Sequence, residues 1–284
     1  MGEGCAANSG VEPMKRSEIA PLRLRVAAGL ASALIVSAAA RADDRPGCKL
    51  EPIGTGRVLA VLDGRTMQLA DGREVRLAGI EVAHDDGDKS SAAARSALES
   101  LVLGAELTLF RLGPETDRYG RTVALIAAGP AENSIQHRLL DRGQARVAAH
   151  IGDSACAAAL LRTEQAARTA GLGLWSDPYY VMRHAEDPAG ILAVRGQFAV
   201  VEGKVLSVRE SGGTIYVNFG RRWSEDFTVT VLKRNERSFT AAGRPLKKLA
   251  GQRVRVRGTV EERGGPWIEA VAPSQIEIAE RGHE

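Results

Sequence analysis

Two aspartate–glycine dipeptides, Asp63-Gly64 and Asp71-Gly72, cut the stretch from Gly56 to Ile80 into three short alternating segments. A period-2 run stopped by a tight-turn dipeptide folds as strand and hairpin, not as helix. The pattern predicts strands over Gly56–Leu62, Met67–Leu69 and Glu74–Ile80. Ser90–Leu103 then changes period: Ala94, Leu98, Leu101 and Val102 recur at helical spacing, and Gly104 stops the run. Two further strands, Glu106–Leu112 and Thr122–Ala127, precede helices over Ser134–Arg142 and Ser154–Ala170, closed by Gly143 and Gly171. Three strands, a helix, two strands and two helices is an order consistent with a small closed β-barrel carrying helices.

Beyond it, residues 177–196 hold Pro178, Pro188 and Gly190 among polar residues and read as a linker. Strands resume over Phe198–Val208, Thr214–Phe219, Phe227–Val231, Arg253–Glu261 and Trp267–Ala270. Gly212-Gly213 and Gly264-Gly265 are turns, and Arg234–Leu249 is a short helical or irregular insertion. Five strands with an insertion after the third read as a second, OB-like barrel. Only 4% of the chain is aromatic, so both cores rest mainly on Val, Leu, Ile and Ala. In the second half Tyr216, Phe219, Trp223, Phe227 and Trp267 interleave with Arg221, Arg222, Lys233 and Arg234. Two readings stay open: a stacking surface for nucleic acid, or aromatics spent on the core. Charge leans the same way, with residues 43–196 at net −3 and 197–280 at net +4.

The first 42 residues are read as a leader. Lys15, Arg16, Arg23 and Arg25 form a basic flank, Val26–Ala40 an apolar run, and Ala40-Arg41-Ala42 a small-residue cleavage site. Met14 is a better start than Met1, which sets residues 1–13 apart. The alternative, an uncleaved membrane anchor, needs a run of about 20 residues, longer than this one. Export to the periplasm or medium leaves Cys48 and Cys156 in an oxidising compartment, where a bridge between them is expected. Two separate buried thiols are the alternative.

Gly56–Trp175 resembles the thermonuclease (staphylococcal nuclease-like) family. The stretches that carry the resemblance are Leu62-Asp63-Gly64-Arg65-Thr66, Glu74-Val75-Arg76-Leu77-Ala78-Gly79-Ile80, Thr116-Asp117-Arg118-Tyr119-Gly120-Arg121, Leu139–Val147, and Gly173-Leu174-Trp175-Ser176. The resemblance implies a five-stranded OB-type barrel with three helices that cleaves nucleic-acid phosphodiesters with calcium. The fold class expected is therefore α+β, mainly β: that barrel plus the second OB-like one. The organisation expected is a leader over 1–42, a lead-in over 43–55, the thermonuclease-like domain over 56–176, a linker over 177–196 and the OB-like domain over 197–280.

Carried across position by position, the resemblance puts two phosphate-binding arginines at Arg76 and Arg121, with Tyr119 beside the nucleotide. A family metal aspartate falls on Arg65, and a second on Glu81. The general-base glutamate falls on His84, and two later nucleotide-flanking tyrosines fall on Ala149 and Ile151. Glu81 keeps a carboxylate for metal, and a histidine at position 84 still accepts a proton near neutral pH. Arg65 reverses the charge. At about 4 Å and an effective dielectric near 20, like charges repel by about 4 kcal/mol, roughly doubled against a divalent cation. Asp63 is read as the holder of its own turn. Asp85, Asp86 and Asp88 form an acidic run read as a solvated loop, with a shifted metal site as its sharper alternative. Arg76 and Arg121 have an alternative too, as ion-pair partners of Glu81 and Asp117.

Three functions follow. The favoured one is an exported protein that binds nucleic acid or another phosphate-bearing anion through Arg65, Arg76, Tyr119 and Arg121, with a degenerate calcium site. The others are an active nuclease with an altered metal site and an envelope protein-interaction module.

Overall fold

Strand β1 (Pro52–Asp63) starts four residues earlier than its alternating pattern, because it serves two neighbours. Its first half pairs with β5 (Glu106–Thr116) and its second with β2 (Thr66–Leu69). β3 (Glu74–Leu77) follows β2 in a hairpin and runs parallel to β6 (Thr122–Ala127). The closed barrel has the order β1-β2-β3-β6-β5, as expected for the first half. The computed structural model describes residues 48, 50–83, 89–129 and 133–279. The leader, His84 and Asp85, Asp86 and Asp88 lie outside the described residues. The expected strand Glu74–Ile80 breaks after Leu77. There the chain leaves the barrel, and β4 (Ile80–Glu81) pairs with β7 (Arg146–Val147).

Three helices cover the barrel: α1 (Lys89–Val102), α2 (Ile135–Asp141) and α3 (Ser154–Thr169). α1 buries Ala94, Leu98 and Val102 at helical spacing, and Leu98 and Val102 join a core that includes Met67, Leu69 and Val75. Ser134 and Asp153 cap α2 and α3 by accepting backbone N–H groups of His137 and Cys156. Gln136, fully buried on α2, accepts from Ile126 N and donates to Ala124 O, so it satisfies backbone groups that β6 turns towards the helix. Gly143 ends the α2 segment at φ 68°, where a Cβ would meet Leu172 O at 2.2 Å. Only glycine lets the two chain segments touch there. Cys48 and Cys156 form a disulfide across 108 residues of sequence, which ties the lead-in to α3.

The stretch expected as a linker is folded. It forms β8 (Arg183–His184) and α4 (Pro188–Leu192), and it buries Tyr180, Ile191 and Val194. Its polar residues sit on the surface while a few apolar ones reach two cores, too sparsely for periodicity to show. The expected strand Phe198–Val208 is two strands, β9 (Phe198–Lys204) and β10 (Ser207–Ser211). A bend at Val205-Leu206 carries the chain between sheets. After β11 (Thr214–Asn218) and β12 (Thr228–Leu232) come α5 (Glu236–Ala241), β13 (Arg253–Thr259), β14 (Glu261–Arg263), β15 (Gly265–Glu269) and β16 (Ile276–Ile278). One sheet has the order β10-β11-β12-β15-β14 and the other β16-β13-β9-β8. They share a core that includes Val201, Ile215, Val229, Phe239 and Ile268. Phe227 and most of Phe219 also go to this core, their rings 4.9 Å apart, so neither belongs to a stacking surface.

The halves meet as parts of one compact unit, Arg45–Glu284. Arg257 of β13 is wholly buried. It donates to Val147 O at 2.8 Å, to both oxygens of Glu164 on α3 at 2.9 and 3.0 Å, and to Glu277 of β16. Glu164, also wholly buried, accepts from Val147 N and from Arg168. Arg146 lies between the rings of Tyr180 and Phe198 and donates to both their carbonyls. Burial pushes the Arg146 guanidinium down to about 10, against the pull of Glu164 and Glu81. Among the described residues no helix is long and apolar enough to cross a membrane.

Removing Arg257 strands two carboxylates in the junction. Arg257→Ala is expected to cost about 3–5 kcal/mol in urea unfolding. Burial raises the Glu277 carboxyl, but Arg257 and Arg168 outweigh it and hold its pKa below the ordinary value. Its contribution is therefore complete above the ordinary carboxylate range and lost as pH falls through the lower folded value. Unfolding midpoints measured from about pH 7 to pH 4 should fall more steeply in the wild type than in Glu277→Gln; equal slopes would exclude this linkage.

Candidate functional site

One end of the barrel collects the turn after β1, the side chains of β3 and β4, and the loop between β5 and β6. The turn is held by Asp63, whose Oδ1 accepts the Arg65 N–H at 2.7 Å. Asp63 therefore has the turn role read from its sequence. The Arg65 carbonyl accepts from Leu77 N, and Thr66 lies opposite Arg76 in the β2–β3 register. These constraints hold Arg65 beside β3. Its guanidinium then reaches across to Glu81 and forms an ion pair.

That contact settles where the Arg65 charge goes. Of the alternative pairings, Arg121 with Asp117 is present, whereas Glu81 is taken by Arg65 and not by Arg76. Arg76 is half-buried and, among the described residues, its guanidinium makes no hydrogen bond or ion pair. Burial lowers its pKa, and the neighbouring guanidiniums of Arg65 and Arg121 lower it further, against the opposing pull of Glu81 and Asp117. Arg76 remains charged near neutral pH, in a field where three guanidiniums face two carboxylates.

The β5–β6 loop is built on Asp117. Its Oδ1 accepts from Tyr119 N at 2.9 Å and Arg121 N at 3.1 Å, and its Oδ2 accepts from Arg121 Nε at 2.8 Å. Gly120 takes φ 79°, the left-handed conformation that lets its N–H return to Asp117 O. Burial pushes the Asp117 carboxyl up, but Arg121 and the two backbone donors outweigh it and hold it below its ordinary range. Tyr119 is exposed, with the guanidiniums of Arg118 and Arg121 at 4.8 and 5.2 Å from its ring centre. Arg118 also donates to the Tyr119 hydroxyl at 2.7 Å.

The staphylococcal nuclease family uses calcium, and the described carboxylates at this end of the barrel are engaged by protein partners. Glu81 is paired with Arg65 on one side and feels buried Arg146 on the other. Asp63 is committed to its turn. Among the described residues no group of three or more His, Cys, Asp or Glu is placed to hold a metal. A hard divalent cation takes six or more oxygens from carboxylates, carbonyls and water, and the two described carboxylates nearest Arg65 are already committed. His84 lies outside the described residues. Ile151 packs into the barrel core, and the Ala149 carbonyl accepts from Ser274 of the second half at 3.4 Å. Neither position presents a ring to a nucleotide. Sequence reasoning missed Arg146 and Arg257, whose partners lie in distant parts of the chain.

Asp117→Ala should loosen the loop without unfolding the barrel. Limited trypsin digestion is expected to cut faster after Arg118 and Arg121, with the thermal midpoint little changed; unchanged cleavage would show that Asp117 does not order this loop.

Comparison with curated proteins gives no match. Residues 74–177, which include Arg76, Glu81, Tyr119 and Arg121, match the family described as staphylococcal nuclease homologue. The strands and helices built above, with that match, identify this part of the chain as a staphylococcal nuclease homologue domain.

Proposed function

We propose that this is an exported protein whose nuclease-like barrel grips the phosphates of nucleic acid without calcium-dependent cleavage. One observation carries the reading: Arg76 is a half-buried guanidinium without a protein partner among the described residues, set beside two others. A guanidinium fork donates two parallel hydrogen bonds to phosphate oxygens, and a phosphate here relieves the repulsion among Arg65, Arg76 and Arg121. Asp117 holds Arg121 at the rim, and Tyr119 offers an exposed ring beside it. Arg65 neutralises Glu81 and so removes the carboxylate that a cation would need. The disulfide supports export, because such bridges persist in oxidising compartments. The leader read over residues 1–42 gives the route.

In chelator, the full mature chain should bind a DNA duplex with an affinity that falls as salt rises. Arg76→Ala is expected to weaken that binding roughly 10- to 100-fold by anisotropy, the range for a charge-assisted hydrogen bond. Brisk cleavage by the wild type with calcium, unchanged in Arg65→Asp, would overturn the reading in favour of an active nuclease. Absence of both binding and cleavage would favour a protein-interaction module. Export is checked separately: the N-terminus of the secreted or periplasmic chain is expected at Asp43.

A further inference from the structure

The second half carries a groove that the arginine site does not use. It lies on the outer face of the β10-β11-β12-β15-β14 sheet and encloses about 620 Å³, within the range of sites that take small organic ligands. The strand registers lay its floor in rows. Arg209, Tyr216, Thr230 and Glu269 face one another across four strands, and Ser207, Asn218, Thr228 and Trp267 form the next row. Thr228 and Thr230 are buried at its base. The loop after β11 adds Arg221 and Trp223, and Arg263 of β14 lies 3.5 Å from the centre of the Trp267 ring.

Two properties of these residues narrow the ligand. Trp223 is 72% exposed and Tyr216 37% exposed, so each offers a ring face to a planar group. The guanidiniums of Arg209 and Arg221 make no hydrogen bond or ion pair among the described residues, and Arg263 has only Glu261, 3.6 Å away. Three guanidiniums stand against one groove carboxylate, Glu269. A neutral sugar gains nothing from that charge, and a simple anion gains nothing from the rings. A strand that alternates planar bases with phosphates uses both. Arg209 stands directly opposite Tyr216, which sets a phosphate donor beside a stacking ring. The hydroxyl floor and Glu269 can hydrogen-bond base edges.

We infer that this sheet face is a second binding site, for single-stranded nucleic acid, in which bases stack on Trp223 and Tyr216 while Arg209, Arg221 and Arg263 meet the phosphates. A duplex keeps its bases stacked inside, so the groove selects for single strands. Arg222 and Lys233, counted with this surface from sequence, instead pair with Glu225 and with Glu210 and Glu236.

The test uses the full mature chain and an oligothymidylate, read by tryptophan emission and by anisotropy of a labelled strand. Binding is expected to quench emission in the wild type and in Arg76→Ala, which separates this site from the arginine site of the barrel. Trp223→Ala should remove most of the quench and weaken the oligothymidylate roughly 5- to 150-fold, the range for one lost base–aromatic stack. Trp223→Phe should restore part of the affinity. Arg209→Ala should weaken binding and flatten its salt dependence. Trp223 is exposed, so its removal leaves the thermal midpoint in place. The inference fails if Trp223→Ala binds the strand as tightly as wild type. It also fails if Arg76→Ala abolishes the quench, or if a neutral oligosaccharide quenches Trp223 and the oligonucleotide does not.

Discussion

Arg257 places a full positive charge where no water reaches, and the junction between the halves is arranged around compensating it. An isolated guanidinium at that depth costs several kcal/mol, so it persists only where carboxylates answer its charge. Glu164 supplies both carboxylate oxygens, Glu277 a third, and Val147 a carbonyl. Burial alone would lower the Arg257 pKa, but Glu164 and Glu277 hold it above its ordinary value. Replacing such a network by apolar residues is often neutral for net stability, whereas its geometry fixes one arrangement of the parts it joins. Here the arrangement is the seating of α3 and β7 against β13.

That seating extends to the candidate site through a continuous set of contacts. Glu164 accepts the Val147 N–H, so β7 is held by the same carboxylate that holds Arg257. Across the β4–β7 pair Arg146 lies opposite Glu81, and Glu81 in turn takes the guanidinium of Arg65. The acid at position 81 thus sits between two arginines, one buried and one partly buried. Arg146 and Arg65 both oppose the charge of Glu81, and the Arg76 guanidinium keeps no protein partner among the described residues. The second half therefore bears on the charged end of the barrel through the placement of β4.

The barrel was legible because its signals are local. Period-2 runs stopped by Asp-Gly turns, and apolar residues at helical spacing, need only a window of a dozen residues. The ends were less legible: β1 begins at Pro52 because its first half pairs with β5, some fifty residues away. At the site, sequence gave the sign of the Arg65 substitution but not its destination, since the nearest acid in space, Glu81, is sixteen residues away. The folded character of residues 177–196 was hidden because four buried apolar residues, Tyr180, Ala185, Ile191 and Val194, make no period among polar ones. Arg146 and Arg257 were invisible for a related reason. A buried arginine looks like a surface one until the carboxylate that answers it, 93 residues away for Glu164 and Arg257, is brought alongside.

The same bookkeeping changes what the basic balance of residues 197–280 means. Net charge of a segment counts every arginine alike, yet only those without a carboxylate partner attract a polyanion. Arg253 and Arg255 share Glu202, Arg257 is consumed at the junction, Lys233 bridges Glu210 and Glu236, and Arg222 pairs with Glu225. Each pair cancels charge locally and leaves little field at a distance of one Debye length, about 8 Å in physiological salt. Arg209 and Arg221 remain around the groove, beside Tyr216 and Trp223, with Arg263 held only by Glu261 at 3.6 Å. The excess that composition spreads over the segment is in part concentrated, after pairing, on the face that also exposes the aromatic rings. A segment with a small net charge can hold a strongly cationic groove, because folding decides which charges find partners at home.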